Sequence, residues 1–200
     1  MLARNYEFSS DSEDFTLVKT SLTGKYAHLG TSVLHFGRDD GFNECGLAVT
    51  MSSCSFPVGA LQIDHSSTAQ LLYATNHPLL PELVPYESQA MRNSLQRYEL
   101  IGHTLEGKGQ VSEDDLKQLL LGKFPAGLNC PYYEDFFGTT KSMIMNPAKG
   151  TMELCWGGRS ANGWRSYDIH EPLGETVLDI ELYAEKAHPE FFEFVPIPAN

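Results

Sequence analysis

Basic residues are scarce in this chain. Lys and Arg number 14 against 26 Asp and Glu, a net charge of −12 over 200 residues. A chain this acidic lacks the basic face that a phosphate backbone or an anionic bilayer requires, so neither nucleic acid nor a membrane surface is expected as a partner. A local basic pocket for one small anionic group remains open. Long apolar runs are missing as well, and nothing approaches the length of a membrane-spanning helix. Met1–Phe8 has no apolar core and no cleavage signal, so no secretory peptide is expected there. Cysteine is limited to Cys45, Cys54, Cys130 and Cys155. No pair has C-x-x-C spacing and no H-E-x-x-H occurs, which argues against a zinc site. Neither a metal nor a cofactor is expected. The thiols read as reduced and mostly buried, in a cytoplasmic protein.

What remains is an ordinary globular composition, 42% hydrophobic and 20% charged, in a length suited to one domain spanning residues 1–200. The first part reads as sheet. Phe15–Leu22 is rich in β-formers before a Thr23-Gly24-Lys25 turn, and Thr31–Phe36, Leu47–Ser52 and Leu71–Thr75 have the same character. Two helices follow. Glu87–Ile101 carries Met91, Leu95, Tyr98 and Ile101 at a helical period, with Arg92 and Arg97 on other faces. Ser112 caps a second helix whose first turn is acidic and which stops at Gly122. The last part returns to sheet: Ser142–Met145 and Thr151–Trp156 form a hairpin around Asn146-Pro147-Ala148-Lys149-Gly150, and Val177–Tyr183 is a further strand. Strands, then helices, then strands predict an α+β fold with antiparallel sheet.

Polar residues cluster at the ends of these strands. Gly37–Thr50 packs glycines, charges and Asn43 into a turn that runs into apolar residues, which puts Asn43 at a strand mouth. Arg4–Glu7, Thr75-Asn76-His77-Pro78 and Ser94–Arg97 are the other clusters. Acyl transfer needs a nucleophile, a group that activates it and donors aimed at a developing oxyanion. Asn side chains and backbone N–H groups suit the last role, and an Arg beside a thiol favours the thiolate. Solvated loop polars are the alternative reading of the same residues. His77, before a proline at a strand end, reads as structural rather than as a base. Trp156, Trp164 and Tyr167 read as core or pocket wall.

Taken in order, A-R-N-Y-E-F, G-R-D-D-G-F-N-E-C-G-L-A-V, A-T-N-H-P, S-L-Q-R-Y-E, F-F-G-T-T-K-S-M-I-M-N-P and E-L-C-W-G-G-x-x-x-N-G-W-R-x-Y resemble one family. It is the acyl-CoA:6-aminopenicillanic-acid acyltransferase-like branch of the N-terminal-nucleophile (Ntn) hydrolases, related to choloylglycine hydrolases and penicillin V acylases. The resemblance runs from Ala3 to about Tyr167. It implies a four-layered αββα sandwich with two antiparallel sheets. It also implies a cysteine nucleophile that becomes N-terminal by self-cleavage, so that its own α-amino group serves as base. The substrate it implies is a small amide or an acyl-CoA-type thioester. Arg4 then matches an arginine near the thiol and Asn43 an asparagine whose backbone lines the oxyanion hole. Asn76 matches a second asparagine whose side chain completes that hole, and Arg97 an active-site arginine.

The sequence departs from the family pattern in three places. Met1 stands after the expected position of the nucleophilic cysteine, which places the nucleophile upstream of this chain. Glu7 stands where the family has Asp, one methylene longer. The stretch between Gly59 and Tyr73 is shorter than the family's, so part of the sandwich is expected to be missing. An inactive, truncated relative or a non-catalytic binding protein is therefore the alternative to an active acyltransferase or hydrolase. A homo-oligomer is compatible with either. Cys45, inside the N-E-x-G-L motif, would be a substitute nucleophile, or simply a small residue in a turn.

Overall fold

The computed structural model describes residues 1–11, 15–32, 37–52, 71–174 and 177–198. The chain divides into two compact units, Met1–Met51 with Ser112–Ala187, and Ser52–Val111 with His188–Asn200. The elements are antiparallel sheet with few helices, an α+β arrangement as the pattern predicts. Among the described residues no helix is long and apolar enough to cross a membrane.

The first unit is built on two sheets. In one, β1 (Leu2–Phe8) pairs with β8 (Phe137–Asn146), β8 with β9 (Thr151–Trp156) and β9 with β10 (Arg165–Asp168). A short β7 (Pro131–Tyr132) also pairs with β8. The β8–β9 hairpin forms where the Pro/Gly turn predicts it, and Gly150 closes it at φ 71°, a left-handed value that glycine adopts without strain. The other sheet is a meander of β2 (Thr16–Thr20), β3 (His28–Ser32), β4 (Asp40–Asn43) and β5 (Ala48–Val49).

Alternation along the strands decides what lies between the sheets. Leu29 and Phe42 from the meander meet Met143, Met145, Met152, Leu154 and Trp156 from the larger sheet, all buried. By the same alternation and the β1–β8 register, Arg4 and Tyr6 share this inner side with Met143 and Lys141. The outer side of the larger sheet carries α2 (Glu113–Leu121), where Asn5 Nδ2 donates to the Leu120 carbonyl at 2.8 Å. The helix starts as its sequence predicts: the Ser112 hydroxyl accepts from the Asp115 N–H, and the Asp115 carboxylate accepts from the Ser112 N–H.

The second unit pairs β6 (Gln89–Met91) with β11 (Phe194–Pro196), and α1 (Arg92–Leu105) follows β6 directly. The helix is displaced from the predicted 87–101. Its buried stripe also differs from the apolar one expected: Asn93, Ser94 and Arg97 are buried along with Ile101 and Leu105. A polar stripe buries only when each group finds a partner. Asn93 does so by donating to the Phe191 carbonyl at 2.7 Å.

Two predicted strands are absent. Leu71–Thr75 lies along α1 instead. Its Tyr73 ring sits 4.7 Å from Tyr98, in a place only a glycine at 102 leaves open, since a Cβ there would come 2.8 Å from the Tyr73 hydroxyl. The backbone of residues 177–183 bonds to the Asn162 side chain rather than to a strand. The Asn162 amide accepts from the Glu181 N–H and donates to the Glu181 carbonyl, both at 2.9 Å, replacing one rung of a ladder. Of the strands predicted at 31–36 and 47–52, residues 33–36 lie outside the described residues, and the second shortens to β5.

Candidate active site

Arg4 projects from β1 toward the meander and donates from Nη1 to Asp40 Oδ1 at 2.7 Å. Asp40 is buried because β4 places it on the inner side with Phe42. Two forces oppose each other at this carboxyl. Burial favours its neutral form, while the Arg4 guanidinium and the Met51 N–H favour the anion. Burial prevails, and the pKa is pushed up to about 6. The neighbouring Lys141, wholly buried in β8, lies 3.3 Å from Asp39 Oδ2 and 3.5 Å from the Ser32 carbonyl. Its Nζ is 4.4 Å from the centre of the Tyr6 ring, and the Arg4 guanidinium is 5.1 Å from the same ring. One aromatic ring thus meets two cations. Asp39, Asp40 and Lys141 are all within the motifs read from the sequence, but none was singled out. A lysine in the middle of a strand that runs on into Met143-Ile144-Met145 was the available signal for Lys141.

Glu7 follows a bulge. The register runs evenly from Leu2↔Met145 to Tyr6↔Lys141, then shifts so that Glu7 faces Thr139. Its charge helps raise the pKa of the Tyr133 hydroxyl, second to burial. That hydroxyl donates to the Thr139 carbonyl at 2.6 Å.

Asn43 ends β4 and shapes the hairpin after it. Its Oδ1 accepts from the N–H groups of Cys45 and Leu47, both at 3.0 Å, and its own N–H donates to the Leu47 carbonyl at 2.9 Å. The side chain therefore holds a turn of the kind asparagine favours. The backbone N–H, the group expected to face an oxyanion, is directed at Leu47 in this structure.

Asn76 and Arg97, 21 residues apart, come together in the second unit. Arg97 Nη2 donates to Asn76 Oδ1 at 2.8 Å and to Asn93 Oδ1 at 2.9 Å. A guanidinium can only donate, so it fixes which end of the Asn76 amide is oxygen and turns the Nδ2 donor the other way. Nδ2 lies 3.3 Å from the Ser52 hydroxyl. The backbone of Asn76 is tied down too, its N–H donating to Ser94 Oγ at 2.8 Å. Ser94 was visible in the sequence only as one of a polar cluster. It lies at the centre of a buried network, with His77 Nδ1 at 2.9 Å and the Thr75 hydroxyl at 3.1 Å. Burial and the Arg97 charge lower the His77 pKa to about 4, so the ring is neutral near pH 7. Arg4, Glu7 and Asn43 belong to the first unit, whereas Asn76 and Arg97 belong to the second.

The cysteines differ in accessibility. Cys45 is exposed at the hairpin tip, whereas Cys130 and Cys155 are buried. Burial pushes the Cys155 thiol up to about 11. Cys54 lies outside the described residues.

Residues 1–59 match the acyl-coenzyme A:6-aminopenicillanic acid acyl-transferase family. The matched stretch contains the Arg4–Glu7 and Gly37–Val49 motifs and supports the family resemblance drawn from them. That family is named for an acyl transfer from coenzyme A, and the match covers 59 of the 200 residues. Asn76 and Arg97 lie beyond the match to the acyl-transferase family. No curated protein and no solved structure matches the chain.

Proposed function

We propose that the chain is the scaffold of a cysteine-type Ntn acyltransferase or amidohydrolase acting on linear amides or acyl thioesters through an N-terminal cysteine. In this reading the chain is one αββα domain over residues 1–200. The observation that carries it is the Arg97–Asn76 contact, which presents an amide donor in a fixed orientation. Such a donor gains most in a transition state, where a carbonyl oxygen becomes an oxyanion and no reorganisation is needed to meet it.

The steps follow from the residue types. The cysteine thiol gives its proton to its own α-amino group, and the thiolate attacks the substrate carbonyl carbon. Negative charge moves to the carbonyl oxygen, which accepts from Asn76 Nδ2. Collapse breaks the bond to the amine or thiol leaving group, which takes the proton from the α-ammonium, and leaves an S-acyl enzyme. Water or an acceptor amine then attacks that thioester and regenerates the thiol. Arg4 favours the thiolate by its charge, and Glu7 orients the terminus from the same strand.

The test uses protein isolated from its own source. Its N-terminal residue is read by mass spectrometry, and the protein is quenched in acid after mixing with acyl-CoA thioesters and p-nitroanilides. The expected result is an N-terminal Cys carrying one acyl group. A native N-terminus without Cys, together with no adduct from any compound, sinks the proposal and leaves a non-catalytic binding protein.

A further inference from the structure

The meander of the first unit has a second face, opposite the one that carries Leu29, Phe42 and Asp40. Alternation places Thr20, His28, Gly30, Gly41, Asn43 and Val49 there. Gly30 and Gly41 are direct register partners at its centre. Neither has a positive φ, so neither is there for a left-handed backbone. They let the two strands approach closely: a Cβ on Gly30 would come 2.5 Å from the Asp40 carbonyl oxygen and 3.4 Å from the Arg38 Cδ, and one on Gly41 2.7 Å from the Leu29 carbonyl oxygen. Glycine inside a strand often marks a place where another group approaches the backbone closely. Here the approaching group is the neighbouring strand, and the pair leaves a floor without side chains of its own, with the Arg38 side chain beside Gly30.

Side chains rise around that floor. Leu22 and Tyr26 from the β2–β3 turn, with Leu47 and Val49 from the other edge, enclose a cleft of about 510 Å³. This is in the range of small-molecule sites. All four are large apolar residues at least 60% exposed, an unfavourable arrangement for a free surface and a usual one for a ligand site. The polar lining holds Thr20, Asn43, Asp39 and Asp40 beside three basic side chains, Lys25, His28 and Arg38. The Arg38 guanidinium is held by two of its donors, to the Gly37 carbonyl at 3.0 Å and the Thr20 hydroxyl at 3.1 Å. A guanidinium has five N–H donors, so others remain for a ligand. The lining carboxylates, Asp39 and Asp40, are met by Lys141 and Arg4 on the inner side of the sheet. The cleft is thus a basic and apolar locus on a chain of net charge −12.

We infer that this glycine-floored cleft binds an amphipathic organic anion, its apolar body over Gly30 and Gly41 and its anionic group at Arg38 and Lys25. The inference does not rest on the acyl-transfer reading and survives if that reading fails. Charge complementarity chooses an anion over a neutral or cationic amphiphile, and the glycine floor chooses a flat or linear body over a branched one.

Decanoate is the probe, titrated by calorimetry into the full chain below its micellar concentration. Decanol and decyltrimethylammonium serve as neutral and cationic comparators of the same chain length. Saturable one-to-one binding of decanoate is expected. In the Lys25→Glu, Arg38→Glu double variant, Kd should rise at least ~10-fold, a change of ~1.4 kcal/mol. Leu47→Asp, at an exposed position that folding tolerates, should weaken decanoate similarly. Gly41→Val should abolish binding if it folds; if it does not, the charge and Leu47 variants decide. Equal binding of all three amphiphiles, or decanoate binding unchanged in the variants, overturns the inference. So does a concentration-dependent dimer that Tyr26→Ala dissolves, since the face would then be a contact between two copies.

Discussion

Arg97 reaches across one helix-to-loop contact to hold the Asn76 side-chain oxygen at 2.8 Å. Both residues bond to neighbours of the same unit: Arg97 also donates to Asn93, and the Asn76 N–H donates to Ser94. The amide is therefore positioned from its side chain and its backbone together. A side chain held in this way loses little conformational freedom when it meets a new partner, which gives the contact its value for catalysis.

If Asn76 is an oxyanion donor, Asn76→Ala should lower kcat by roughly 10²–10³ with little change in substrate affinity. Arg97→Lys keeps the charge but loses the planar fork that reaches Asn76 and Asn93 together, so it should recover only part of the loss seen in Arg97→Ala. Steady-state kinetics on the acyl-enzyme-forming protein measure this directly. A kcat within twofold of the parent for Asn76→Ala removes Asn76 from the reaction.

The Asp40 carboxyl gives the first unit a pH dependence of definite sign. Its pKa rises from 3.8 in the unfolded chain to about 6 in the fold. Its contribution to stability is fully present below 3.8 and is lost as pH rises through 6. The shift corresponds to roughly 3 kcal/mol of differential stability. Urea unfolding of the parent and of Asp40→Asn, from pH 3.5 to 7, should show the parent losing stability relative to the variant as pH rises. Parallel curves would mean that Arg4 fully offsets the burial of the anion.

Legibility in the sequence followed the physics of each element. The β8–β9 hairpin and α2 were readable because turn, cap and period all agree locally: Gly150 closes the one, and Ser112 with Gly122 bounds the other. β1 was not, because Arg4-Asn5-Tyr6-Glu7 shows no clean alternation, and its pairing with β8 spans most of the chain. The buried stripe of α1 was misread for a related reason. Asn93, Ser94 and Arg97 look solvent-facing by composition and bury only because partners remote in sequence satisfy them. Among the candidate site residues, the types and motif positions were legible. The Arg4–Asp40 and Arg97–Asn76 pairings were not, since each depends on packing between distant segments.

The thiols should react in the order of their exposure. At pH 8, iodoacetamide should modify Cys45 in the folded protein while sparing Cys130 and Cys155, with Cys155 further protected by a pKa raised to about 11. Peptide mapping before and after urea unfolding reads this out. Rapid modification of Cys155 under native conditions would show that the β9 end opens readily.

His77 should make the second unit acid-sensitive. Its pKa falls from 6.5 to about 4 on folding, because burial and the Arg97 charge both disfavour the imidazolium. The unfolded chain therefore binds the proton more tightly, and stability present above 6.5 is lost as pH falls toward 4. This is opposite in sign to the effect at Asp40, over an overlapping range. His77→Gln keeps a hydrogen-bonding group toward Ser94 but cannot charge. Amide exchange in α1, compared at pH 7 and pH 4.5, should show protection falling with acid in the parent and holding in the variant. Equal losses in both would assign the acid sensitivity to carboxylates instead.

Lys141 tests whether the buried charges of the first unit act as a pair. Its side chain is wholly buried, and Asp39, 3.3 Å away, is nearly so. Removing one charge leaves the other desolvated and uncompensated, so Lys141→Met alone should destabilise the protein by about 3–5 kcal/mol. Adding Asp39→Asn removes the orphaned charge and should recover a large part of that loss. The coupling between the two sites in a double-mutant cycle separates this from simple repacking around a methionine. If Asp39→Asn instead adds its own cost to that of Lys141→Met, the ammonium is held by the Tyr6 face and the Ser32 carbonyl, 4.4 Å and 3.5 Å away, and Asp39 serves another partner.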